Sequence, residues 1–206
     1  LVEFKNVTFK YPDADVPVLY NISFTAQPGE TTAIIGGTGS GKSTVVNLIP
    51  RFFDVTSGQL LIDGINVKDI KQKDLRKRIG YIPQKGVLFS GTIESNIKYG
   101  NHRATDEEME RAARVSQSME FISKLEEKYN YSIAQGGTNV SGGQKQRLSI
   151  ARAMLINPDI YIFDDSFSAL DFKTSSKLYR DLRKETKNST VIIVAQRIGM
   201  TINADK

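Results

Sequence analysis

The sequence has no cysteine and no tryptophan, and His102 is its single histidine. Without thiols there is no disulfide framework, no cysteine-ligated zinc and no thiol nucleophile. One histidine cannot build a histidine-based metal site, and it argues against a Ser-His-Asp triad. Long hydrophobic runs are also missing. Nothing approaches the ~18–20 apolar residues that cross a bilayer, and the longest run, Val191 to Ala195, is strand-sized. Leu1-Val2-Glu3-Phe4-Lys5 resembles neither a signal peptide nor a transit peptide. The 206 residues are 39% hydrophobic and 25% charged, enough for a core and too mixed for disorder. On composition alone the expectation is a soluble, intracellular domain.

The balance of 28 Lys+Arg against 23 Asp+Glu gives a net charge of +5. The basic residues concentrate at Lys68, Lys71, Lys73, Arg76, Lys77 and Arg78, diluted by Asp69 and Asp74. A basic stripe can bind phosphate backbones. Here it contains no aromatic stacking platform, so it reads as the solvated face of a helix and no nucleic-acid partner is expected.

Val2, Phe4, Val7 and Phe9 alternate, followed by Val18 to Ala26, with loop signals at Tyr11-Pro12-Asp13 and Pro28-Gly29. This pattern predicts antiparallel strands with one buried face. Thr31 to Ile35 reads as a buried central strand, and Lys42 to Ile49 as a helix. Gly58 to Ile62 and Ile79 to Pro83 read as further strands on either side of the basic helix. Thr105 with Glu108, and Ser141 with Gln144, have the spacing of capping boxes that open helices. The second helix is expected to run to Ile156 and stop at Asn157-Pro158. Between Lys85 and Pro158 there is almost no strand pattern, which predicts a helical lobe. Strands return at Ile160 to Phe163 and Thr190 to Ala195, flanking a helix from about Asp171 to Glu185. Strand–helix alternation at both ends with a helical insert implies an α/β core around a parallel sheet.

Gly36-Gly37-Thr38-Gly39-Ser40-Gly41-Lys42-Ser43 fits the phosphate-binding pattern G-x-x-x-x-G-K-[ST]. Glycines let successive backbone N–H groups converge on phosphate oxygens, and a following helix start adds favourable partial charge. Lys42 would reach the β- and γ-phosphates, and the Ser43 hydroxyl would ligate Mg²⁺. A match arises by chance in roughly one chain in a hundred of this length; this one also lies between a buried strand and a helix. Ile160-Tyr161-Ile162-Phe163-Asp164 is an apolar strand ending in a carboxylate. Such a strand would place Asp164 beside the phosphate loop, where it can hold Mg²⁺ through water.

Asn139-Val140-Ser141-Gly142-Gly143-Gln144-Lys145-Gln146-Arg147 resembles the signature sequence of ABC-type ATPases, and the order of the other motifs agrees across all 206 residues. The resemblance includes Tyr11, Gln84 in Tyr81-Ile82-Pro83-Gln84, and Ser168-Ala169-Leu170-Asp171. Val87-Leu88-Phe89-Ser90-Gly91-Thr92-Ile93-Glu94-Ser95-Asn96-Ile97 resembles the exporter branch. The fold this implies is a P-loop NTPase core of the RecA-like type, with an N-terminal antiparallel β subdomain and an inserted α-helical subdomain. Residues 1–84 and 159–206 would form the β subdomain and core, and residues 85–158 the helical subdomain.

The resemblance also implies roles. Tyr11 would stack on the adenine of ATP, with Val18 packing nearby. Gly36, Gly37, Thr38, Gly39, Ser40, Gly41, Lys42, Ser43 and Thr44 would bind the phosphates. Ser43, Gln84 and, through water, Asp164 would hold Mg²⁺. Ser141, Gly142, Gly143 and Gln144 would complete the ATP site of a second ABC ATPase domain paired head to tail. Coupling helices of a membrane domain would be the other partner, placing the chain at the cytoplasmic face of a membrane. Membrane-spanning segments would precede Leu1 in the same polypeptide, and the family's domain ordinarily continues past Lys206 with another strand or two.

Two positions depart from the family. The residue after Asp164 is normally Glu, the base for the attacking water; here it is Asp165. In Val194-Ala195-Gln196-Arg197 the family has His where Gln196 stands, and glutamine cannot become cationic or relay a proton. A shorter carboxylate sits about an ångström or more back, a misplacement that can cost on the order of 100-fold in rate. The signature is intact apart from Val140 in place of Leu. This asymmetry predicts a degenerate own site in a heterodimeric exporter, resembling the degenerate-site subunit of bacterial heterodimeric exporters. Alternatives are an ordinary homodimeric exporter domain, a nucleotide-binding half that never turns over, and a DNA-repair or chromosome-organising ATPase. The last kind separates its motifs by a long coiled coil, and no heptad run exists here. Gln135, where exporters usually carry an acidic residue, is a smaller departure.

Overall fold

Val2, Phe4, Val7 and Phe9 form the buried face of the first strand in the computed structural model, which describes residues 1–196 and 204–206. The elements follow in the order β1 (Val2–Phe9), β2 (Leu19–Ala26), β3 (Thr31–Ile35), α1 (Lys42–Leu48), β4 (Ser57–Ile62) and β5 (Ile65–Asn66). Next come α2 (Gln72–Lys77), β6 (Ile79–Ile82), β7 (Gly91–Thr92), α3 (Ile93–Lys98), α4 (Asp106–Val115) and α5 (Met119–Ile122). The chain then runs through β8 (Ser132–Ile133), α6 (Gly142–Ile156), β9 (Ile160–Asp164), α7 (Phe172–Glu185) and β10 (Thr190–Ala195). Two compact units result. The first comprises Leu1–Ile79, Asp159–Asp164 and Thr186–Lys206; the second comprises Gly80–Pro158 and Asp165–Glu185.

In the first unit, β1 pairs antiparallel with β2 and β4, and β4 with β5. Phe4 lies opposite Phe24, and their rings stack at 4.5 Å. The register shifts between Phe4 and Val7, where Asn6 takes φ +51°. Gly58 fits this bulge because it has no side chain: a Cβ there would lie 2.2 Å from the Asn6 carbonyl oxygen, and its φ is +81°.

The second sheet of this unit is parallel. β10 pairs with β3 from Val191–Thr31 to Ala195–Ile35, and with β9 from Thr190–Ile160 to Val194–Asp164. Every residue of β9 and β10 is buried, as expected of a parallel sheet covered on both faces. Burial of each Leu, Ile or Phe here contributes about 1.5–3 kcal/mol, and α1 adds Val46 and Leu48 at 0% exposure. This register brings Ile35, Asp164 and Ala195 to one edge of the sheet, the edge at which such sheets bind ligands.

The basic stretch differs from the expected single helix. A 3₁₀ turn at Val67–Asp69 and the six-residue α2 are separated by extended backbone at Ile70 and Lys71. Several of its cations also bond back to the protein from the surface. Arg76 donates to the carbonyls of Pro50 and Arg51, Lys68 to that of Val55, and Arg78 to Asp159 and Asp63. Of these, among the described residues, only Arg78 is paired with carboxylates, Asp63 and Asp159.

The second unit is built around α6. Leu148, Ala151 and Leu155 pack with Ile93 and Ile97 of α3 and with Met109, Ala112 and Ala113 of α4. Both expected capping boxes are present, Thr105 with Glu108 and Ser141 with Gln144. A third, Thr92 with Ser95, opens α3. Asn157 ends α6 in the left-handed conformation, at φ +49°. The unit also contains a pairing the sequence pattern does not reveal, β7 with β8, two residues each. Among the described residues no helix is long and apolar enough to cross a membrane.

Candidate nucleotide-binding site

β3 delivers the chain to the glycine loop at the ligand-binding edge of the parallel sheet. Residues 37–40 are exposed, and the Ser40 amide donates to the Gly37 carbonyl at 3.4 Å. Gly39 and Gly41 take φ of +79° and +88°, which a side chain would resist. A Cβ on Gly41 would also meet Leu19 Cδ2 at 2.9 Å, and one on Gly36 would meet Ser40 Oγ at 2.8 Å. Lys42 is 8% exposed, and its ammonium donates to the Gly37 carbonyl at 2.5 Å and to Ser40 Oγ at 3.3 Å. The lysine is therefore curled over the loop by two contacts that an anion can replace.

Asp164 ends β9 as a buried carboxylate, and its Oδ1 accepts the Ser43 hydroxyl at 2.8 Å. Two hard oxygen donors so placed suit a magnesium ion. Thr44 and Tyr11 share a hydroxyl contact of 3.2 Å. Tyr11 meets Phe9 and Phe53 edge-on, with centroids 4.8 and 5.2 Å apart. Val18 is 40% exposed, and its Cγ1 would lie 3.4 Å from a Cβ on Gly41. Gln196 is an exposed bend residue directly after Ala195, the partner of Ile35. It thus leaves the sheet at the level at which Gly36 begins the loop. Arg197 lies outside the described residues.

The second unit holds the remaining expected residues in two groups. In the first, Gln84 Nε2 donates to Asp165 Oδ2 at 3.0 Å. Asp165 takes φ +49°, a left-handed conformation that Asp tolerates better than most residues, and its carbonyl accepts the Ser168 hydroxyl at 2.7 Å. In the second group, Ser141 Oγ accepts the Gln144 amide at 3.2 Å, and Gln144 Oε1 accepts the Ser141 amide at 2.9 Å. The amides of Gly142 and Gly143 open the 15-residue α6 with no acidic residue in its first turn. Such a start favours an anion.

Two of the shifted ionisable groups of this unit are Arg147 on α6 and Asp171 just before α7. Hydrogen bonds from the Thr174 hydroxyl and amide hold the Asp171 carboxyl below its ordinary value, and burial lowers Arg147. Gln135 starts a 3₁₀ turn, with Gly136 at φ +64°.

Sequence reasoning missed Phe53, whose aromatic contact with Tyr11 comes from a distant loop. It also missed Gln146 and Ser166, which hold carbonyls of the segment before Gln84. Local patterns carry no signal for partners so far apart in the chain. Among the described residues no group of three or more His, Asp or Glu side chains forms a ready metal cage.

Known proteins agree with this geometry. A sequence profile described as ABC transporter matches residues 19–168. An uncharacterised ABC transporter ATP-binding protein of Mycobacterium tuberculosis is 48% identical over 209 residues, spanning 100% of this chain and 36% of that protein. A Staphylococcus aureus protein named, provisionally, as a multidrug export ATP-binding/permease protein is 45% identical over 205 residues, with the same coverage of 100% and 36%. The structure of a bacterial Atm1-family ABC exporter with ATP bound superposes with a TM-score of 0.94 at 38% identity, covering 99% of this chain and 36% of that one. The chain therefore spans 36% of the length of these relatives. The profile match takes in the glycine loop, the helix begun by Ser141 and both carboxylates at the end of β9, so the chain belongs to the ABC transporter family and has its α/β ATPase fold.

Proposed function

We propose that the chain is the ATPase domain of an exporter, and that its own site binds ATP firmly but hydrolyses it slowly. The binding half is complete. Lys42 exchanges the Gly37 carbonyl for phosphate oxygens, the loop amides take up the remaining charge, and Tyr11 with Val18 offers the adenine an aromatic and apolar surface. Ser43 and Asp164 are the residues that would hold Mg²⁺, which when bound neutralises phosphate charge. The hydrolytic half is weakened. Asp165 would take the proton of the attacking water, yet its carboxylate is one methylene shorter than the family's glutamate. Gln196 can donate a hydrogen bond to a γ-phosphate but cannot carry charge.

The observation that carries this reading is the Gln84–Asp165 contact: the short carboxylate is engaged by an amide 3.0 Å away, on backbone at φ +49°. The intact signature, Ser141 to Gln144, would serve the ATP site of a second domain. A heterodimer with a competent partner follows, with coupling helices of a membrane domain as the other contact and the cytoplasmic face of a membrane as the location. The names of the relatives, export and permease, support the transport setting. The alternative, a homodimer in which Asp165 and Gln196 both work, is separated by one assay. Labelled ATP bound to the intact protein with Mg²⁺ should persist over many turnovers of an ordinary family member, and rapid conversion to ADP would refute the slow-site reading.

A further inference from the structure

In the second unit, three contacts converge on the segment that carries Gln84. Ser166, directly after Asp165 and 0% exposed, donates its hydroxyl to the Ile82 carbonyl at 2.7 Å and to the Pro83 carbonyl at 3.4 Å. Gln146, also 0% exposed, donates Nε2 to the same Pro83 carbonyl at 2.9 Å. Gly86 then touches α6 so closely that a Cβ would lie 2.7 Å from the Lys145 carbonyl group and 2.9 Å from the Gln146 nitrogen.

These tethers lie immediately before and after Gln84, whose amide meets Asp165. Gln146 is costly to bury: among the described residues its Oε1 has no hydrogen-bond partner. An apolar side chain of similar size would fill the space without that loss. The polar end of Gln146 is therefore explained by what it holds. The same bond ties the helix that begins at Ser141 to the segment bearing Gln84.

We infer that Ser166 and Gln146 are positioning residues for hydrolysis: by fixing the Ile82 and Pro83 carbonyls they set where the Gln84 amide meets the Asp165 carboxylate. The inference rests on the ATPase reading above. The Ser166 hydroxyl holds the start of the loop after Asp165 against the Gln84 segment, so the shorter carboxylate stays within reach of the amide.

The test uses the intact protein with Ser166→Ala, Ser166→Thr and Gln146→Met, the first also combined with Gln84→Ala. Single-turnover ATP cleavage should fall about tenfold in Ser166→Ala, since sub-ångström placement controls such steps. ATP affinity should stay within twofold, and Ser166→Thr, which keeps the hydroxyl, should recover part of the rate. In the Gln84→Ala background, Ser166→Ala should change nothing further, because the residue acts through Gln84. Hydrogen exchange at residues 82–87 should quicken in Ser166→Ala and Gln146→Met. An equal fall in both backgrounds, a loss that follows ATP affinity, or unchanged exchange at residues 82–87 would overturn the proposal. Wild-type protein without Lys42-dependent cleavage would remove the ATPase reading instead, and the exchange result alone would then decide the positioning claim.

Discussion

Asp164 and Asp165 are neighbours in the chain with opposite surroundings. Asp164 closes a strand buried along its whole length, in register with Val194, and accepts the Ser43 hydroxyl. Asp165 stands outside regular structure at φ +49°, held through its side chain by Gln84 and through its carbonyl by Ser168. A sheet fixes the first carboxylate, while loop contacts fix the second. The difference teaches how two adjacent carboxylates can be held by different means. A residue set by a sheet cannot move without disturbing the core, whereas one set by a few side-chain hydrogen bonds can be shortened or re-aimed at little structural cost. Asp165 and Gln196, the two positions on which the proposed slow cleavage rests, both lie just past strand ends.

The comparison breaks most sharply at Lys42. Lys42→Ala should weaken ATP binding about 100-fold by removing a charge-assisted contact, measured by titration with a fluorescent nucleotide; a change under threefold would mean the loop is not the binding determinant. Gly58→Ala tests the antiparallel sheet of the first unit. Its Cβ would collide with the Asn6 carbonyl at an unfavourable φ, so stability should fall by about 2 kcal/mol in denaturant melts. Ser141→Ala removes the cap of α6 and should cost about 1 kcal/mol, with exchange faster at the start of α6 and unchanged in β9. Asp165→Asn should shift the ATP dissociation constant by less than twofold, the mark of a residue that serves hydrolysis and not binding. The smallest effect belongs to Asp171, whose carboxyl lies below its ordinary value of 3.8 because of the Thr174 hydrogen bonds. Its contribution is present above the unfolded-state value and is lost as pH falls through the folded-state value. Asp171→Asn should therefore lower stability slightly at neutral pH and flatten the acid limb of the melting curve below about pH 4, where the two proteins converge.

Much of this was legible locally. Thr31 to Ile35 and Thr190 to Ala195 are strands with the expected bounds, because continuous β-branched runs favour extended backbone. β10 is buried throughout, whereas β3, expected to be buried, is so only at Thr31 and Thr32 and ends exposed at Ile35, where the chain leaves for the glycine loop. The boxes at Thr105 and Ser141 were readable because capping is a three-residue event. The β7–β8 pair was not readable, since two residues carry no period. The basic stretch was misread as one helix because nothing in its composition announces the extended step at Ile70 and Lys71. The Tyr11–Phe53 contact and the tethers of Ser166 and Gln146 join residues that only the fold brings together.

The central claim is that the own site binds ATP while Asp165 and Gln196 limit its cleavage. Single-turnover ATP cleavage by the intact protein, compared with Asp165→Glu/Gln196→His, tests it most directly. The double variant should cleave ATP roughly 10- to 100-fold faster at unchanged affinity. Equal rates in the two proteins would contradict the claim and leave the site an ordinary one.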